Sequence, residues 1–102
     1  MRDLYHPRVE DVGLPHVLHA LSDPVRLEIV RVLSTTDEIP CSSLNAAVSK
    51  STMSHHFKVL REAGVTLTRA NGTKRMMSLR QAELEERFPG LLASILDAAK
   101  AA

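Results

Sequence analysis

Gly64 separates two stretches of this sequence that differ in hydrophobic periodicity, and their order constrains the fold more than any other feature. Before it, residues 51–63 carry apolar side chains at the spacing of an amphipathic helix. After it, Val65–Ala70 and Thr73–Leu79 are rich in threonine, valine, leucine and methionine, and they flank Asn71-Gly72. A glycine can end a helix with a positive φ, and a two-residue Asn-Gly connection favours a type I′ turn. The order predicts a helix followed directly by a β-hairpin.

Two further helices are predicted upstream. The first has an apolar stripe at i, i+3, i+4 and i+7, formed by Leu14, Val17, Leu18 and Leu21. The second begins with Asp23 as its N-cap and Pro24 in the first helical position, and it runs to about Ser34. Its defining residues are Arg26, Ile29, Val30 and Leu33. The stretch Thr35–Pro40 is polar and ends in proline, so it is interpreted as a loop.

A short helix is expected over Cys41–Val48, with Leu44, Ala47 and Val48 facing inward. A tight turn at Ser49-Lys50 then leads to Ser51, the expected N-cap of a helix that ends at Ala63. Two helices joined by a short polar turn match the helix-turn-helix pattern. The expected fold class is therefore mainly α, a winged helix-turn-helix of about five to six helices with a two-stranded β-hairpin wing.

The chain length suits a single domain. The 102 residues contain no internal repeat, low-complexity tract or Gly/Ser linker, so residues 1–102 are expected to form one winged helix-turn-helix domain. Residues 1–12 are expected to be a mobile N-terminal arm. The single cysteine, Cys41, cannot form an internal disulfide and fits a reducing compartment. No apolar run is long enough to span a bilayer, and the N-terminus lacks a signal peptide's apolar region, which predicts a cytoplasmic protein.

The helix after Ser51 sorts its side chains into two faces. Met53, Phe57 and Leu60 are expected in the core, while the other face carries hydroxyls, imidazoles and cations. Such groups suit the major groove of duplex DNA, because they can hydrogen-bond base edges and neutralise phosphates. The predicted DNA-binding residues are Ser51, Thr52, Ser54, His55, His56, Lys58 and Arg61 in the helix and Arg69, Asn71, Lys74 and Arg75 in the wing. His56 is expected either to bond a phosphate or to pack near the wing.

The charges are distributed unevenly along the chain. Residues 50–80 hold seven basic side chains and one acid, a net charge of +6, whereas the remainder holds six basic and eleven acidic side chains, a net charge of −5. A polyanion-binding face in the first segment would explain this asymmetry, and so would an ordinary solvated surface.

A homodimer is also expected. Leu91, Leu92, Ile95, Leu96 and Ala99 form a broad apolar stripe near the C-terminus. A domain of this size cannot easily bury both this stripe and the Leu14–Leu21 stripe, so pairing across a two-fold axis would cover them. Packing within one chain is the alternative.

Three stretches carry a family resemblance: ALSDPVRLEIVRVL (residues 20–33), STMSHHFKVLREAGV (residues 51–65) and the NGTKR tip (residues 71–75). They resemble the ArsR family of winged-helix repressors, with a match from Leu14 to Leu96. The resemblance implies a dimer with the first and last helices at its interface. It also implies repression through an inverted-repeat operator, relieved by an inducer. It assigns DNA reading to Ser51–Arg61 and wing contacts to Arg69–Arg75.

The family's metal sites do not carry over to this sequence. One of them uses a Cys-x-Cys pair, but Cys41 is followed by two serines and the chain has no second thiol. Another uses histidine on a terminal helix, and Leu91–Lys100 contains Asp97 but no histidine. No metal site or cofactor is predicted, and the inducer is unknown. His16 and His19, at i and i+3, remain an alternative metal pair, and Cys41 is interpreted as a packed residue.

Two other functions are alternatives to DNA binding. A winged helix used for protein–protein contact would retain the fold, but such modules usually lose the basic face that this chain keeps. An enzyme is not predicted, because the chain has no phosphate-binding glycine loop, no metal-ligand pair near a base and no nucleophile elbow.

Overall fold

A computed structural model describes residues 4–44 and 48–101. Within these ranges the chain has five α-helices and one three-stranded antiparallel sheet, which confirms the mainly helical winged-helix architecture. The helices are α1 (Leu14–Leu21), α2 (Pro24–Leu33), α3 (Lys50–Glu62), α4 (Gln81–Arg87) and α5 (Leu91–Ala101), and the strands are β1 (Ile39–Pro40), β2 (Thr66–Asn71) and β3 (Lys74–Leu79). Short 3₁₀ turns lie at Val9–Asp11 and Cys41–Ser43.

Helices α1 and α2 begin and end close to where the sequence predicts. The Asp23 side chain caps α2 by accepting hydrogen bonds from the backbone amides of Val25 (2.8 Å) and Arg26 (3.1 Å). The apolar stripe of α1 is divided, because Val17 and Leu21 are buried whereas Leu14 and Leu18 are exposed. The narrow inward face of α1 therefore leaves two large leucines uncovered in one copy of the chain.

The structure changes the interpretation of the segment between α2 and α3. Cys41–Ser43 forms a 3₁₀ turn, and Leu44 is buried as expected. The predicted helix over Cys41–Val48 includes Ala47, which lies outside the described residues. Val48 was expected to face inward, but it is 37% exposed, so that prediction was wrong. The polar turn that follows places Val48 just before the N-cap of α3, outside the buried face.

The wing has one more strand than predicted. The strand order is β1-β3-β2, with Ile39 opposite Met77 and Thr68 opposite the same methionine on the other side. Strand β1 falls in the predicted loop Thr35–Pro40. A segment of two residues is too short to show the alternation of apolar and polar side chains that predicts a strand. Its proline is tolerated because β1 lies at a sheet edge. Pairing with β3, a contact distant in sequence, makes this segment a strand.

The hairpin turn is shifted by one residue from its predicted position. Asn71 pairs with Lys74, so the two connecting residues are Gly72 and Thr73. Gly72 has a φ of +63°, and no residue other than glycine has a positive φ in the described ranges. A positive φ at the first connecting residue alone is the pattern of a type II′ turn, so the predicted type I′ turn at Asn71-Gly72 was wrong.

Gly64 ends α3 in a Schellman motif. Its own amide donates to the Arg61 carbonyl (3.1 Å), and the Val65 amide donates to the Leu60 carbonyl (3.0 Å). The φ of Gly64 is +85°, and a Cβ built there would lie 2.4 Å from Cγ2 of Val12. The position therefore needs glycine both for backbone conformation and for the close approach of the arm.

The N-terminal arm packs against the body of the protein over residues 4–12, although a mobile arm is expected from the sequence. Val12 is 2% exposed, and Pro7 is also buried. The Pro7 carbonyl accepts from Arg80 (2.7 Å), and the Val12 carbonyl accepts from Nε of Arg87 (3.0 Å). The arm has no apolar periodicity, so these contacts with partners more than 70 residues away leave no signal in the sequence.

One hydrophobic core connects these elements. The largest fully buried apolar side chains are Val17, Val30, Leu33, Leu60, Val65 and Met77. They come from α1, α2, α3, β3 and the residue just before β2, so the core fixes the orientation of α3 relative to the hairpin. Leu92 and Leu96 of α5 also join this core. None of the helices in the described ranges is long and apolar enough to cross a membrane.

Replacing Gly64 tests the close approach of arm and helix. Gly64→Ala should lower the free energy of unfolding by about 2–4 kcal/mol, because it combines a strained positive φ with a clash against Val12. Gly90→Ala is the matched control: Gly90 also has a positive φ (+80°), but nothing lies within 4 Å of a Cβ there, so about 1–2 kcal/mol is expected. Urea unfolding measures both. Equal losses would contradict the packing of Val12 on Gly64.

Candidate nucleic-acid interface

Ser49 starts α3, two residues before the predicted N-cap. Its backbone is extended (φ −68°, ψ 161°), and its hydroxyl accepts from the Thr52 amide (3.2 Å). Ser51 was predicted as the cap but lies in the first helical turn, with its Oγ 3.1 Å from that of Ser49. Both serines satisfy the preference for a cap, and the backbone geometry of the preceding turn decides between them.

The outer face of α3 presents the side chains that the sequence predicts there. Ser51, Thr52, Ser54, His55 and Lys58 are all exposed. Ser54 and His55 lie three and four residues after Ser51, and Lys58 lies four and three residues after them, so the four side chains form one continuous stripe. Glu62 is the only acid of this helix, and it lies at the C-terminal end. The stripe therefore carries hydroxyls, an imidazole and a cation, and it contains no carboxylate.

His56 does not lie on this outer face. It is 7% exposed, and its Nδ1 is 3.2 Å from Nη1 of Arg26. Because a guanidinium only donates, Nδ1 is the acceptor and the ring proton lies on Nε2. The expectation that His56 bonds a phosphate is therefore not supported by its position. On the helix it is about 100° away from His55, which turns it towards α2.

Arg61 is half-buried, unlike Lys58 one turn earlier. Its Nε is buried and has no hydrogen-bond partner within residues 4–44 and 48–101. The side chain lies close enough to His6 of the arm for its charge to affect that ring. A residue that was predicted to contact DNA therefore lies near the arm.

The wing carries its cations near the tip. Asn71, Lys74 and Arg75 are exposed. Arg69 is exposed as well, but its guanidinium donates to both carboxylate oxygens of Glu38, at 2.7 and 2.6 Å. This hydrogen bonding lowers the pKa of Glu38 and keeps it ionised. Arg69 is therefore partly neutralised, whereas Lys74 and Arg75 add positive charge next to α3.

The buried guanidinium of Arg26 holds the inner face of α3 in place. Its Nε donates to the carbonyl of Ala20 (2.7 Å), Nη2 donates to the carbonyl of His19 (3.2 Å), and Nη1 donates to His56. The two carbonyls end α1, where the helix dipole favours a cation. One charged group thus links α1, α2 and α3 and sets the rotation of α3.

Sequence reasoning missed two residues of this interface, Glu38 and Arg26. A signal existed for Arg26, because an arginine occupies an inward position of the α2 stripe beside Ile29, Val30 and Leu33. Nothing in the sequence indicates that Glu38, 31 residues before Arg69, pairs with the wing.

The structure also locates the residues considered as metal ligands or sensors. His16 and His19 are exposed on α1. No group of three His, Cys, Asp or Glu side chains that could hold a metal ion occurs in the described part of the chain. Cys41 is half-buried, and burial raises the pKa of its thiol although the charge of Arg75 acts in the opposite direction. A raised pKa disfavours the reactive thiolate.

Sequence comparisons find transcriptional regulators. Residues 21–69 match a family described as a helix-turn-helix domain. An uncharacterized HTH-type transcriptional regulator, YceK of Bacillus subtilis, is 38% identical over 82 residues, which are 78% of this chain and 82% of that protein. An arsenical resistance operon repressor of Staphylococcus xylosus is 42% identical over 67 residues, 65% of this chain and 64% of that protein.

Comparison with solved structures gives the same class. The transcriptional repressor BigR from Xylella fastidiosa superposes with a TM-score of 0.67 and is 28% identical. The superposition covers 86% of this chain and 83% of that one. The superposition therefore extends over much more of the chain than the helix-turn-helix segment alone.

The cap of α2 makes the stability of this framework pH-dependent. The hydrogen bond from the Arg26 amide lowers the pKa of Asp23 below its ordinary value of 3.8. A carboxyl with a lowered pKa in the folded state stabilises fully above its ordinary pKa, and the contribution is lost as the pH falls through the folded value. Asp23→Ala should therefore lower the free energy of unfolding by about 1 kcal/mol at neutral pH and by less in acid.

Asp23→Asn is the matched control, because asparagine keeps a capping oxygen but does not titrate. Urea unfolding should give a free energy of unfolding about 0.3–1 kcal/mol higher for the wild type than for this variant at neutral pH. This difference should shrink as Asp23 is protonated. A difference that stayed constant down to about pH 3 would contradict the role of the charged cap.

Proposed function

The chain belongs to the ArsR family of winged helix-turn-helix transcriptional regulators, and we propose that it represses transcription by binding an inverted-repeat operator as a homodimer. The observation that carries the proposal is the exposed stripe of α3 beside a basic wing tip. Its site of action would be the cytoplasm, where the DNA that such a regulator controls is found.

In this proposal α3 enters the major groove with its N-terminal half. Ser54 and His55 are positioned to hydrogen-bond base edges, because both are exposed on the stripe and carry short polar groups. Lys58 would neutralise a phosphate one turn further along. The N-terminus of α3 adds partial positive charge, since its first amides point along the helix axis towards the DNA.

The wing would contact the backbone beside the groove. Lys74 and Arg75 are exposed at the start of β3 and can approach phosphates directly. Arg69 must exchange its contacts with Glu38 for a phosphate or share the guanidinium between both. We therefore expect Arg69 to contribute less to DNA affinity than Lys74 or Arg75.

The dimer would use the apolar side chains that one copy leaves uncovered. Leu14 is 40% exposed and Leu18 is 45% exposed, on the outer side of α1. On α5, Leu91 and Ile95 are only half-buried, although Leu92 and Leu96 point into the core. Pairing of two copies about a two-fold axis would bury the exposed and half-buried side chains, which are Leu14, Leu18, Leu91 and Ile95. It would also present two copies of α3 to successive major grooves, with half-sites about 34–36 Å apart.

Substitutions on α3 and the wing should separate base reading from phosphate contact. Ser54→Ala or His55→Ala should relax sequence preference by about 1–3 kcal/mol at the affected base pair. Lys58→Ala and the pair Lys74→Ala with Arg75→Ala should weaken binding to all sequences and lower the salt slope by about one per lost phosphate contact.

Selection of bound sequences from random DNA, followed by salt titration of the selected site, measures both effects. Lys100→Ala is the matched control, because this exposed lysine lies on α5 and pairs with Asp97 (3.7 Å). It should leave the salt slope unchanged. Recovery of no inverted repeat, or an equal loss in the Lys100 variant, would contradict the proposed interface.

Leu18→Glu tests the proposed dimer. A charge at this exposed leucine should convert the dimer to monomers in sedimentation equilibrium, because an unpaired carboxylate would be buried at the interface. Leu67→Glu is the control, since Leu67 is 38% exposed but lies on the wing. That variant should remain dimeric. A monomeric wild type, or a dimeric Leu18 variant, would rule out this interface.

A further inference from the structure

The N-terminal arm crosses the open edge of the wing. In the order β1-β3-β2, strand β2 lies at an edge, so some of its amides have no partner strand. The amide of Thr68 donates instead to Nε2 of His6, at 3.0 Å. The next residue of the arm, Pro7, is held by Arg80. His6 is thus the only described side chain of the arm that hydrogen-bonds to the wing sheet.

This hydrogen bond requires a neutral imidazole. A backbone amide is a donor, so Nε2 must present its lone pair, and a protonated ring has no lone pair to offer. Protonation of His6 would therefore replace an attractive contact with two donors facing each other. The Thr68 amide would then lose its acceptor at a partly buried position, which is unfavourable unless the arm moves away.

The charges around His6 also oppose a cation at this position. Arg61 of α3 and Arg80, which follows β3, both lie close enough for their charges to act on the ring. Arg80 is paired with Glu83 of α4 (2.9 Å), whereas Arg61 has no carboxylate partner in the described ranges. On the arm itself, Arg8 is paired with Glu10 and Asp11. Burial and the two arginines lower the pKa of His6, with the Leu4 backbone acting in the opposite direction.

We propose that neutral His6 fastens the N-terminal arm to the edge of the wing and that protonation of this ring releases it. The arm then connects the wing to α4 through contacts that depend on the protonation of His6. Release would uncover the edge of β2 and remove the imidazole from the vicinity of Arg61. This inference does not rest on the proposed function, because it concerns only contacts within one chain and its test uses no DNA.

The direction and size of the effect follow from linkage. A histidine whose pKa is lowered by docking stabilises the docked arm above its ordinary pKa of 6.5, and this stabilisation is lost as the pH falls through the lowered value. Each pKa unit of lowering corresponds to about a tenfold weakening of docking once the ring is protonated. Two independent measurements, of pKa and of docking, must therefore agree.

Nuclear magnetic resonance of the labelled full chain measures both quantities between about pH 7.5 and pH 5. The ring signals of His6 give its pKa in the protein, and a free peptide of residues 4–12 gives the undocked value. Hydrogen exchange of the Thr68 amide, corrected for the intrinsic effect of pH, reports docking. Its protection should fall with the titration of His6, by the factor that the two pKa values predict.

His6→Gln supplies the decisive variant, because a carboxamide oxygen can accept from Thr68 but does not titrate. Protection of Thr68 should then stay constant with pH, or be lost at every pH if glutamine cannot reach. His16→Gln changes an exposed histidine of α1 and should behave like wild type. The Leu27 amide of α2, which donates to the Asp23 carbonyl (2.9 Å), is an internal reference.

Three results would overturn the proposal. The first is a His6 pKa in the protein equal to or above that of the peptide. The second is protection of the Thr68 amide that does not change with pH in the wild type. The third is a His6→Gln variant that loses protection over the same pH range as the wild type.

Discussion

The guanidinium of Arg26 is the interaction on which the arrangement of the helices depends. It is buried, it is charged, and its three described hydrogen-bond acceptors are the carbonyls of His19 and Ala20 and the ring of His56. A buried cation is tolerated only when such acceptors surround it, so the three helices that provide them cannot rotate independently. Asp23 strengthens this junction by capping α2 one turn away from the same group.

The exposed face of α3 is a consequence of that junction. With His56 held inward by Arg26, and with Met53 and Leu60 in the core, Ser51, Ser54, His55 and Lys58 must point outward. The adjacent histidines 55 and 56 thus have opposite roles, although they are chemically identical. One belongs to the candidate interface, and the other fixes the helix that carries it.

The wing is held by two contacts distant in sequence, and both are made to β2. Glu38 binds Arg69, and His6 of the arm accepts a hydrogen bond from the Thr68 amide. Val12 packs on Gly64 at the point where α3 turns into the hairpin. The orientation of the wing relative to α3 therefore depends on the arm and the α2–β1 connection as well as on the hairpin itself.

Local patterns in the sequence determined the element types and much of the exposed surface. Helical spacing, the Asp23-Pro24 start, the Gly64 stop and the β-type residues around Gly72 are each encoded within a few neighbouring residues, so they could be read directly. The same patterns predicted that Ser54, His55, Lys58, Lys74 and Arg75 would share one basic surface.

Only the tertiary structure decided which of two similar residues takes a given role. It selected Ser49 over Ser51 as the cap, turned His56 inward, paired Glu38 with Arg69 and packed the arm onto the body. Strand β1 likewise exists because β3 is there to pair with it. Each of these outcomes depends on partners that are distant in the chain, and hydrogen bonds and burial between such partners leave no periodic trace in the sequence.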